Sequence, residues 1–173
     1  MKRGNSTLST IVFGLFLALS GQAVAGELPY EHLFTEVSQP GESRDDFAAR
    51  IAPQLRAYSD ETGFEACGVI ATDGERFGAV IGTSKSHIGC ANYHGKVPEG
   101  MRSDNVTIHS HGGDRSFGVN KADRRFLGER LPSHVRSIHG QVLDQFSALD
   151  YAEPGSLATP SGIIYQDGRV SGL

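Results

Sequence analysis

The chain has 173 residues, with 16 Lys and Arg against 20 Asp and Glu and a net charge of −4. That length suits one domain with a real core. No lysine–arginine block follows the first residues, so the composition speaks against nucleic acid as a partner.

The first 25 residues read as a secretory signal peptide. Lys2 and Arg3 give a basic start, "TIVFGLFLALS" is an apolar run short for a membrane span, and "AVA" at Ala23–Ala25 is a small-x-small cleavage signal before Gly26. No cysteine lies near the cut, which speaks against a lipoprotein, and no second hydrophobic span follows. The expected location is therefore periplasmic or secreted, with no membrane association after cleavage. The two cysteines, Cys67 and Cys90, are an even count in an exported chain, which favours a disulfide over two separate buried thiols.

Residues 26–42 are polar, contain Pro29 and Pro40, and read as an extended entry segment before a domain over 43–173. Ser43 suits a helix N-cap, with Asp45 and Asp46 in the first turn and Phe47, Ala48, Ile51 and Leu55 at helical spacing up to about Thr62-Gly63. Pro53 either kinks this helix or starts a second. "FEACGVIAT" and "RFGAVIGTS" around Asp73-Gly74 predict a hairpin. Ser84 to Asp104 reads as a long surface loop of the kind that often carries function. "VTIHSH" is a further strand, "NKADRRFLGERL" a helix that Asn120 could cap, "VRSIHG" another strand, and "SGIIYQDGRVSG" a closing hairpin around Asp167-Gly168. Strands alternating with helices predict an α/β domain, a mixed sheet flanked by helices.

His109 and His111 are two apart on a predicted strand, so both imidazoles take one face. Asp123, at the start of the next helix, can return a carboxylate to that point. Two His and one Asp with a fourth position open is a catalytic zinc pattern. Gly112 and Gly113 let the backbone turn closely past the site. A zinc hydrolase also needs a general base, and Glu65, an acid opening an otherwise apolar strand, is the candidate.

Together these residues resemble the JAB/MPN (JAMM) metalloproteases, which carry a glutamate on an early strand, then H-x-H, then S-x-x-D. The matching stretches are "EACGVI" from Glu65, His109-Ser110-His111, and Asn120-Lys121-Ala122-Asp123. The likeness spans about Pro53 to Leu131, and the tail "SLATPSGIIYQDG" is similar to the ending of an exported bacterial JAB-like subgroup. The resemblance implies a zinc-dependent peptidase or isopeptidase. His109, His111 and Asp123 would hold zinc, and Glu65 would move the proton from the attacking water to the leaving amine. Asn120 stands where the family has serine. Its amide could donate to the oxyanion, or it could merely cap the helix, and Ser116 is the reserve. The interval after His111 is one residue longer than in the family, which makes Asp114 a rival to Asp123. Asp123 is preferred because a helix start fixes a carboxylate better than a glycine loop.

The implied substrate is a peptide, a protein or peptidoglycan, whose cross-link is also an amide to a side-chain amine. The alternative is a non-catalytic binding module, or an accessory factor of a secretion or toxin system. His87 and His94 lie in the long loop and could touch ligand. His32, His134 and His139 read as surface or structural, and "GQVLDQFSALDY" as core packing and surface.

Overall fold

The computed structural model describes residues 28–168; the predicted signal peptide lies outside them. Eight strands and two helices run in the order β1 (Glu31–Val37), α1 (Arg44–Thr62), β2 (Ala66–Thr72), β3 (Phe77–Thr83), β4 (Arg102–Ser110), β5 (Ser116–Gly118), α2 (Lys121–Leu127), β6 (Ser137–His139), β7 (Gly155–Thr159) and β8 (Gly162–Gln166). Six of them form one mixed sheet in the order β1-β3-β2-β4-β7-β8, while β5 and β6 pair separately. Every pairing is antiparallel except β4 with β7. The mixed α/β class expected from the sequence is the class found.

The sheet's core lies under α1. Ser43 caps this helix by accepting from the Asp46 N–H, and Gly63 ends it in the left-handed region. Phe47, Ile51 and Leu55 are fully buried and pack on Ile70, Ile81 and Ile108 of the sheet. Each such side chain contributes roughly 1.5–3 kcal/mol on burial. Pro53 neither divides the helix nor starts a new one. It sits on the exposed face of one continuous helix.

The structure moves three boundaries. The segment before residue 43 is part of the domain, because β1 completes the sheet edge against β3. The long loop ends at Met101, and its opening is no surface feature: Ser84, Ser86 and His87 are buried. A hairpin turns at Pro160-Ser161, joining β7 to β8; Asp167-Gly168 follows β8, and the returning arm expected after it lies outside the described residues. Asp-Gly is a strong turn signal, but "SLAT" is a strand too short to announce itself by period.

The disulfide Cys67–Cys90 is present. It pins the 84–101 segment to β2 on the sheet face opposite α1. No helix among the described residues is long and apolar enough to cross a membrane.

Candidate metal centre

Strand alternation builds the site. On β4, Ile108 and Ser110 face α1: Ile108 joins the core, and the Ser110 hydroxyl lies 2.7 Å from that of Ser59. His109 and His111 therefore take the opposite face. They are 7% and 1% exposed, and their Nε2 atoms are 3.3 Å apart. Cys67 pairs with His109 across β2 and β4, and Glu65, two residues before Cys67, turns to the same side.

The carboxylate that meets the two imidazoles is that of Asp150. Its Oδ1 is 3.4 Å from His109 Nε2 and its Oδ2 is 3.4 Å from His111 Nε2. Among the described residues, His109, His111 and Asp150 form the one group whose ligand atoms converge closely enough to hold a metal ion, all within 4.8 Å of one another. His111 Nδ1 lies 2.6 Å from the Val142 carbonyl. An Nδ1–H donated there leaves the Nε2 lone pair facing the cluster, the tautomer a metal ligand needs. Burial opposes ionisation of Asp150; with protons on the facing nitrogens of His109 and His111 instead, hydrogen bonds from both rings and from Ser147 outweigh it and hold its pKa far below the ordinary aspartate range.

Asp123, the expected third ligand, does not reach this cluster. It is fully buried, and both its oxygens are occupied. Oδ1 accepts from the Ser86 hydroxyl and the His87 N–H, both at 2.8 Å. Oδ2 accepts from the Asn120 N–H and lies beside His87 Nδ1, both at 2.9 Å. Burial again works against the charge, and these donors overcome it, so the pKa of Asp123 is lowered. The carboxylate ties α2 to the buried start of the 84–101 segment. Asp114, its rival, is exposed and 3.6 Å from His139. Asn120 uses its whole amide locally. The oxygen accepts from the Ala122 and Asp123 N–H groups to cap α2, and the nitrogen donates to the Lys85 carbonyl at 2.8 Å. It is a cap and a loop tie. Ser116 is exposed on β5.

Glu65 does come to the site. It lines the same cavity as His109 and Asp150, is 4% exposed, and its Oε1 has no hydrogen-bond partner. Burial raises its pKa well above the ordinary value, helped by the charges of Asp150 and Asp123 and opposed by Arg56. A buried carboxyl with an idle oxygen calls for a partner, and a dication with its water beside the imidazoles would supply one. A donor set of two imidazoles and one carboxylate suits zinc.

The segment read from sequence as packing and surface supplies the missing parts. It contains Ser147-Ala148-Leu149-Asp150, which has the S-x-x-D spacing that was assigned to Asn120–Asp123. The Ser147 hydroxyl is buried in the same cavity without a partner. Matching the motif by its serine would have found both residues. Of the loop histidines, His87 is sealed between Phe64, Phe117 and Asp123, and His94 bridges Ser103 and Glu153 at the cavity's edge.

No protein-family model, curated protein or solved structure matches the chain.

Proposed function

We propose that the chain is a zinc-dependent amide hydrolase, a peptidase or isopeptidase of the JAB/MPN kind, with His109, His111 and Asp150 as the residues that would hold the metal. The observation that carries this reading is the convergence of two imidazoles and a carboxylate beside a buried glutamate whose oxygen has no partner. Bound there, zinc supplies an acidified water and a Lewis acid for the substrate carbonyl.

The protein's own groups do the rest. Glu65 accepts the proton of the attacking water and hands it to the nitrogen of the leaving amine. Its desolvated carboxyl has a raised pKa, so it is a stronger base than an exposed glutamate and holds the proton until the amine can take it. The Ser147 hydroxyl, idle in the cavity wall, donates to the carbonyl oxygen as it gains charge. His109 and His111 are held by strand pairing and by Val142, so the site is oriented before substrate arrives. The reading places the activity in the periplasm or outside the cell, where peptide cross-links of peptidoglycan are amides of suitable chemistry.

Zinc content and hydrolysis test it together. The parent should hold about one zinc per chain, and His109→Ala, His111→Ala and Asp150→Ala should lose it. Glu65→Gln should keep the metal and lose roughly a hundredfold in cleavage of purified cell wall or unfolded protein. Zinc retained by Asp150→Ala and lost by Asp123→Ala, or parental cleavage by Glu65→Gln, would sink the proposal.

A further inference from the structure

The cavity beside the metal centre has a volume of about 270 Å³. Seven buried side-chain polar atoms lack a hydrogen-bond partner among the described residues, and four of them belong to residues that line it: Glu65 Oε1, Asn92 Oδ1, Gln141 Oε1 and Ser147 Oγ. Idle polar atoms normally scatter, because each costs free energy. Their gathering around one space says that the space is built for a polar occupant. The amide oxygens of Asn92 and Gln141 only accept, and the Glu65 carboxyl accepts when ionised. Carboxylates of Asp150 and Glu153 add to the same wall, and neither Lys nor Arg lines it. The wall's apolar members, among them Ile88, Phe126 and Leu149, suit the aliphatic stem of a long side chain.

Resting on the hydrolase reading above, we infer that this cavity is a substrate subsite for a cationic, donor-rich group, a free ammonium or guanidinium on an aliphatic stem, with Asn92 and Gln141 as the specificity-determining acceptors. The substrate is thus an amide that carries a free basic group near the scissile bond. An acidic side chain or a free carboxylate is excluded from that position by Glu65, Asp150 and Glu153.

The test needs no turnover. The ¹⁵N-labelled protein, with and without added zinc, is titrated with methylguanidinium and, separately, with acetate at constant ionic strength. Methylguanidinium should saturate at about millimolar concentration, moving the side-chain amide signals of Asn92 and Gln141. Acetate should leave them in place. The double variant Asn92→Ala, Gln141→Leu should weaken methylguanidinium about tenfold or more. Should that variant fail to fold, Gln141→Glu decides, because an added carboxylate of the same shape should tighten the cation several-fold. Acetate displacing methylguanidinium, shifts confined to the protein surface, or an affinity unmoved by Gln141→Glu would overturn the inference. Zinc content of the same samples reports separately on the metal centre. Cation binding in a protein without zinc would refute the hydrolase and keep the subsite; zinc without cation binding would do the reverse.

Discussion

Asp123→Asn separates a structural carboxylate from a metal ligand. The substitution keeps the side chain's shape and removes its charge. The amide oxygen can still accept from Ser86 and the His87 N–H, but the amide NH₂ then faces the Asn120 N–H and His87 Nδ1. Two charge-assisted bonds are lost, at roughly 1.5–3 kcal/mol each, and one buried N–H is left facing another donor. The expected loss is about 3 kcal/mol or more in urea unfolding, or about 10 °C in thermal midpoint for a domain of this size. The pH dependence has a definite sign. The folded pKa of Asp123 is lowered, so its contribution is complete above the unfolded value of about 3.9 and is lost as pH falls through the folded one. The gap between parent and variant should therefore be constant near neutrality and narrow in acid. Zinc affinity, measured by chelator competition on the folded fraction, should stay within a few-fold of the parent. A stability loss under about 1 kcal/mol, or a zinc affinity that collapses while the fold survives, would refute the role assigned here.

Two further outcomes follow from the packing. Reducing Cys67–Cys90 should cost about 3 kcal/mol in denaturant unfolding, the loop-closure value for the enclosed segment, and an unchanged midpoint would show that the 84–101 segment holds itself. Gly112→Ala would set a Cβ 2.1 Å from the Gly63 carbonyl oxygen, a backbone atom that cannot step aside without moving the end of α1. A loss of at least about 2 kcal/mol is expected by thermal unfolding, and a neutral result would mean that the turn after His111 is looser than its geometry.

Legibility in the sequence followed periodicity. α1 announced itself by Ser43, its acidic first turn and the Phe47–Ile51–Leu55 stripe, and β2–β3 by apolar runs around Asp73-Gly74. His109 and His111 were legible because a strand's two-residue period fixes which side chains share a face. Asp150 had no period to mark it, because the segment before β7 has none, and its only sequence signal was the S-x-x-D spacing from Ser147. What positions it is one local bond, the Ser147 N–H on its carboxylate, and one tertiary bond, the Gln166 amide on its carbonyl. The error at Asp123 has a physical root. A buried aspartate at a helix start has the same sequence signature whether it meets a metal or a capping box, and the N–H groups of Asn120 and His87 decided between them.

The one parallel pairing among the described residues, β4 with β7, has a consequence for how the molecule is made. β2, β3 and β4 join through neighbouring antiparallel contacts, whereas Thr107 finds Gly155 only after the chain has crossed β5, α2 and β6. Closing so long an interval is entropically costly and slow relative to local hairpins. His109 and His111 belong to the half that assembles early; Gln141, Ser147 and Asp150 arrive with the late half. A nascent or refolding chain thus holds the two imidazoles without Asp150 and without the wall of the proposed subsite. Under the hydrolase reading, activity waits until these last strands dock.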